Sequence, residues 1–271
     1  MQKQQVQFAG VVTYWSSSSS SQETLREGLN KLGLGSFVPE KMSSSEALKL
    51  AMQTCGNRRR LVRPLSGTVG YALVDETAST SSVDHSCGLV GKLSGLGLSF
   101  SDESSPLTHG IRADFEKYLG VVPHRAVTAS LVKLVGEFGG VSLRDRGGIY
   151  WIPEEKAQAW ADAARVFESA SVLGSTSVYE FNIVHDDKSI RGVVDALISE
   201  IEGEVSDIQS AISAGTLGAR ALESRQTKAV EMAERIETFE KTFSVSLATL
   251  RASVDSAKSA AVTATLAAMA G

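Results

Sequence analysis

From residue 187 onward, apolar side chains recur at steps of three and four. They are Ile190, Val194, Leu197, Ile201, Val205, Ile208 and Ile212, and then, after a break, Leu222, Ala229, Met232, Ile236, Phe239, Phe243, Leu250, Val254, Ala257 and Ala261. That spacing places them on one side of a helix, as a stripe about two residues in seven wide. No proline interrupts either run, and Glu200, Glu204, Lys228, Glu231, Glu234, Arg235, Glu237 and Lys241 fill the other faces. A stripe so narrow needs another helix to cover it. The pattern therefore predicts an antiparallel helical hairpin or coiled coil over 185–271, following an α+β domain over 1–184.

The lengths of the two runs sharpen this expectation. Residues 187–214 make about 42 Å of helix and 219–267 about 73 Å at 1.5 Å per residue. Between them Gly215 and Gly218 permit a tight reversal. The longer helix then overhangs its partner by about 30 Å, leaving Leu250, Val254, Ala257, Ala261 and Leu266 uncovered. That surface must either fold back on the α+β domain or meet another chain, and another chain is the expected cover. Ile236, Phe239, Phe243, Leu250 and Val254 form the expected interaction stripe, and the expected partner is a protein, either a second copy or a foreign one.

Composition bounds what else the chain can be. Of its 271 residues 42% are hydrophobic, enough for a buried core, and a net charge of −4 gives no global attraction to nucleic acid or anionic lipid. Two cysteines, Cys55 and Cys87, point to a reducing compartment rather than a disulfide framework. No apolar run reaches the roughly 17–25 residues that span a bilayer, and no apolar leader follows Met1. A cytoplasmic protein without membrane contact is expected.

Before the tail, strand and helix signals alternate. Residues 6–14 read as a strand. The serines at 16–21 read as a flexible connector that also feeds a helix start, with Ser20 and Glu23 at capping-box spacing. A second box, Ser43 with Glu46, opens another helix. Residues 61–65 and 69–74 form a hairpin whose first strand, carrying Pro64, lies at an edge. Glycine-rich residues 87–100 suggest one or two bent strands. Helices follow over 108–119 and after Pro123. Residues 141–144 and 149–152 flank Asp145-Arg146-Gly147-Gly148 as the clearest hairpin of the chain. A helix opening at Pro153 and a strand over 177–184 complete this part.

Three constellations carry possible chemistry. Asp84-His85-Ser86-Cys87 pairs an imidazole with a thiol two residues apart, on one face if extended, although a turn entering a buried cysteine is the simpler reading. His85, Cys87, His109 and His124 lack metal-site spacing, and the glycines match no nucleotide fingerprint, so no metal or cofactor is expected. The segment 122–152, helix then hairpin, has the order of a winged-helix reader. Arg125, Lys133, Arg144 and Arg146 would meet phosphate there, alongside the Arg58, Arg59, Arg60 and Arg63 cluster. Glu137 and Asp145 weaken this DNA-binding alternative.

The combination Leu61-Val62-Arg63-Pro64-Leu65, Gly70-Tyr71-Ala72-Leu73-Val74 and Leu143-Arg144 with Gly147-Gly148-Ile149-Tyr150-Trp151-Ile152-Pro153 resembles an uncharacterised family of phage and bacterial proteins. That family, a domain of unknown function, carries a similar LR…GG(V/I)Y…P hairpin. The resemblance spans residues 6–200 and implies a phage-encoded protein but no activity. The resulting expectation is a non-enzymatic, oligomerising or partner-binding scaffold or adaptor. DNA binding through 122–152 is the alternative, and a thiol enzyme using Cys87 and His85 comes third.

Overall fold

A computed structural model describes residues 7–55, 61–78, 83–95, 97–144 and 147–270. In chain order the elements are β1 (Phe8–Ser16), β2 (Ser19–Ser21), α1 (Gln22–Lys31), α2 (Ser44–Thr54), β3 (Leu61–Pro64), β4 (Gly70–Ala78), β5 (Val83–Ser94) and β6 (Gly97–Phe100). Next come α3 (Pro106–Tyr118), β7 (Val121–Val122), α4 (His124–Glu137), β8 (Val141–Ser142), β9 (Tyr150–Pro153) and α5 (Glu154–Ser169). The chain ends with β10 (Ser171–Leu173), β11 (Ser177–Val184), α6 (Asp187–Ser213), α7 (Ala219–Phe243) and α8 (Ala248–Ala270). The expected class, α+β with a C-terminal helical hairpin, is what the structure shows.

These elements group into two compact units that do not follow the linear boundary expected at 184/185. One unit joins β1 to Lys133–Ala161 and to everything from Val178 onward, and the other takes Ser16–Val132 and Asp162–Ser177. The reason lies in strand pairing. β1 pairs with β9, far along the chain, in a sheet ordered β11-β1-β9-β8. Its register sets Gly10 opposite Pro153 and Val12 opposite Trp151, while Val141 lies opposite Trp151 on the other side.

Trp151 is fully buried and meets Phe239 and Phe243 of α7 at ring-centre distances of 5.1 and 5.4 Å. Gly10, at φ +136°, makes room for it. A Cβ at that position would run into the Ile152 carbonyl oxygen and the Trp151 indole nitrogen. Only glycine adopts such a conformation without strain.

The helices of this unit form as their apolar spacing demands. α6 starts where the Asp186 carboxylate accepts the Ser189 N–H at 2.8 Å, and it buries Val193, Leu197, Ile201, Val205 and Ile208. α7 runs antiparallel to it. Lys228 meets Glu204 at 3.2 Å and Arg235 meets Glu200 at 2.8 Å, so one helix ascends in number as the other descends.

The continuous helix expected over 219–267 is instead two. Ser244 takes a left-handed conformation (φ 53°, ψ 38°), which ends α7. Just beyond it, the Leu247 N–H donates to Glu240 at 2.7 Å, and the Arg251 guanidinium bonds to the same carboxylate. The chain therefore reverses and α8 returns along α7, with Gln226 donating to Thr265 at 2.6 Å near the far end. Leu250, Val254, Ala257 and Ala261 are buried by α6 and α7 of their own chain. The overhang is gone, Leu266 alone of the five staying exposed, because the period of the stripe continued through a break that only local capping chemistry marks.

In the second unit, α2 and α3 pack on the sheet β3-β4-β5-β6, burying Leu48, Met52, Val62, Leu73, Leu89 and Ile111. The Ser43–Glu46 capping box is present, with the Glu46 N–H donating to Ser43 at 3.2 Å and the Ser43 N–H to Glu46 at 3.1 Å. The serine run, however, is no free connector. Ser19–Ser21 is the middle strand of a sheet ordered β10-β2-β7. Ser17 bonds Thr128 at 2.7 Å, the Ser18 N–H donates to Thr176 at 3.1 Å, and Ser21 rather than Ser20 caps α1. These partners come from distant parts of the chain, which a composition-based reading cannot supply.

The α7–α8 reversal yields a test. The Leu247 N–H, and after it Arg251, hold the Glu240 carboxyl below the ordinary carboxylate range. A depressed native value stabilises the fold above that range, and the stabilisation is lost as pH falls through the lowered value. Glu240→Gln should therefore lower the urea midpoint at pH 7, and its gap from wild type should close below about pH 4. An unchanged gap at pH 3 would show that the carboxylate charge is not what anchors α8.

Candidate functional site

Two surface features of the first unit stand out. The first is a hollow of about 540 Å³ lined by Gly139 and Gly140 and by charged residues of α6 and α7. Glu200 is its centre. Its Oε1 accepts from Arg235 at 2.8 Å and its Oε2 from the Ser142 backbone N–H at 3.2 Å, so one carboxylate ties β8 to two helices. Arg235 also donates to the Gly140 carbonyl at 3.4 Å. Five glutamates (137, 200, 204, 231 and 234) line the hollow against Lys228 and Arg235. After the two ion pairs are made, the residual character is acidic, and a phosphate backbone would be repelled there.

The second feature is aromatic. Tyr14 of β1 stacks against Tyr179 of β11 at 4.8 Å with an interplanar angle of 18°, and lies 6.1 Å from Phe181 at 10°. The three rings are 37%, 46% and 57% exposed. Strand alternation puts Ile183 on the same side as Tyr179 and Phe181, and Ile183 packs on the cluster that holds Trp151. Tyr14 likewise shares a side with Val12, which pairs with Trp151. One sheet face thus runs from helix-covered core to open aromatic surface.

The residues singled out from sequence distribute differently. Ile236, Phe239, Phe243, Leu250 and Val254 are buried within their own chain, which closes the expected stripe. Arg58, Arg59, Arg60 and Arg146 lie outside the described residues. Arg125 is exposed and pairs loosely with Glu46 at 3.7 Å, in the second unit. Arg144 belongs to the first and borders a hollow with Glu200, Glu204 and Asp207. The helix–hairpin order at 122–152 is present, but β9 is a fully buried central strand rather than a projecting wing.

His85 and Cys87 are both exposed on β5. A bulge causes this, since Leu73 pairs with Leu89 but Val74 with Cys87, which turns the thiol out where a buried cysteine was expected. The side chain of Asp84 lies outside the described structure. Among the described residues no three His, Cys, Asp or Glu side chains gather as a metal site would require.

Displaced titrations follow the same structural logic. Glu46, Asp102 and Asp186 are lowered by hydrogen bonds from caps and turns, Glu103 and Glu237 by Arg112 and Lys241. Each is a carboxylate held ionised by hydrogen bonds or cations beside it, which is ordinary local electrostatics rather than a mark of catalysis. Among the described residues no helix is long and apolar enough to cross a membrane.

In class, then, the chain is a mixed α+β protein with antiparallel sheets and a C-terminal helical hairpin. It belongs to a family of unknown function, DUF6744, whose model matches residues 10–270. The match extends beyond the 6–200 read from the hairpin resemblance and takes in the helical tail. No curated protein and no solved structure matches the chain.

The Glu200 junction gives a direct test of its role. Glu200→Ala leaves a part-buried guanidinium and a backbone N–H without their acceptor, which should cost about 1–3 kcal/mol. Glu200→Gln, which keeps an acceptor, should cost less. Urea denaturation at pH 7 measures both, and a change under about 0.5 kcal/mol for the alanine variant would place it among ordinary surface substitutions.

Proposed function

We propose that the protein is a non-enzymatic partner-binding protein, and that it meets its partner through the aromatic face of β1 and β11. One observation carries this reading. Tyr14, Tyr179 and Phe181 form a stacked, solvent-exposed group on the same sheet face that elsewhere buries Trp151. Exposed apolar groups set on a rigid sheet mark contact surfaces. Tyrosine and phenylalanine are also enriched in the buried centres of protein interfaces. The helical stripe does not serve this role, since its residues are spent on the chain's own core. The DNA-binding alternative draws no support from the acidic surroundings of Arg144.

A photo-crosslinking phenylalanine analogue at position 181 tests the reading in the cells that naturally express the protein. A discrete product larger than 28.7 kDa is expected on irradiation. The same analogue at exposed Lys156 of α5 should give none. No product at 181, or the same product at both positions, would overturn the proposal.

A further inference from the structure

We infer that the occupant of the aromatic face is a second copy of this chain, an inference that rests on the partner-binding reading above. The argument begins with charge. β1 carries no charged residue, and β11 carries only Glu180, which alternation places on the side opposite Phe181. The face made by Val12, Tyr14, Tyr179 and Phe181 is therefore formally neutral. The whole chain has a net charge of −4, so two copies repel weakly over most of their surface. Here they meet with no like charges opposed. A two-fold contact also uses the same patch on both copies, which requires a surface compatible with itself.

The same neutrality argues against nucleic acid. Proteins that stack single-stranded bases on aromatic rings add cations to follow the phosphates. Neither β1 nor β11 contains a lysine or arginine.

Area sets the strength of the contact. Full burial of an aromatic side chain removes about 150–250 Å². At the observed exposures the three rings offer roughly 200–350 Å² per copy. A stable specific interface needs about 800 Å² per partner. The three rings alone fall short of that area, so they form the centre of a weak, reversible dimer.

Sedimentation equilibrium of the purified full-length chain, from about 10 to 500 µM, tests the inference. The weight-average mass should rise with concentration from 28.7 kDa toward twice that value. Phe181→Glu places a carboxylate on each side of the two-fold and should weaken association by at least about tenfold. Leu266→Glu, on the exposed surface of α8 at 64% exposure, should leave it unchanged. Circular dichroism confirms that both variants fold. A wild-type chain that stays monomeric at 500 µM overturns the inference, and so does a dimer that survives Phe181→Glu. If that monomer still crosslinks through position 181 to a different protein in cells, the partner-binding reading stands and only self-pairing falls. If it crosslinks to nothing, both fall.

Discussion

Trp151 sits where two kinds of secondary structure have to share one interior. Its indole lies on the central strand of a four-stranded sheet and against Phe239 and Phe243 of α7. Neither layer could bury its apolar side without the other: the sheet face that carries Trp151 needs a cover, and so do helices with a narrow apolar stripe. Truncating such a residue typically costs about 3–5 kcal/mol, a large part of a domain's net stability. One backbone feature makes the contact possible: Gly10 leaves space beside the ring. The reversal at Ser244 then lets α8 close over α7.

Legibility in the sequence depends on which interactions are local. The Ser43–Glu46 box, the edge placement of Pro64, the 177–184 strand and the first tail helix each depend on residues close together in the chain, and they appear where the pattern puts them. The second tail helix misled because apolar period survives a break. Phe243 and Leu247 are four apart, Leu247 and Leu250 three, so the stripe stays in register while the backbone reverses. The signal that separates the cases is Ser244-Val245-Ser246, poor helix formers with Glu240 placed to cap the start of α8. Short strands β7 and β10 left no trace, since two or three residues carry no periodicity.

The candidate contact surface was illegible for a related reason. Tyr14 and Tyr179 are far apart in sequence and become neighbours only through the pairing of β1 with β11. Nothing in either strand alone distinguishes an exposed aromatic from a core one. The Glu200 junction is similar, since Ser142, Glu200 and Arg235 come from three elements and no motif links them. Basic residues, by contrast, are conspicuous in a sequence. Arg125 and Arg144 drew a DNA-binding reading that the carboxylates around them do not favour.

The interleaving of the two units has a consequence for how the molecule comes into being. β1 leaves a ribosome well ahead of its partners β9 and β11 and of the helices that cover their sheet, which emerge more than a hundred residues later. Closing contacts so distant in sequence is slow, because the intervening chain must be ordered before the pairing is rewarded. Most of the second unit, from Ser16 to Val132, is synthesised meanwhile as one uninterrupted stretch. The strand bearing Val11, Val12, Tyr14 and Trp15 therefore waits as an apolar, unpaired segment throughout that interval. In such an interval a nascent chain is most exposed to aggregation and most in need of a chaperone.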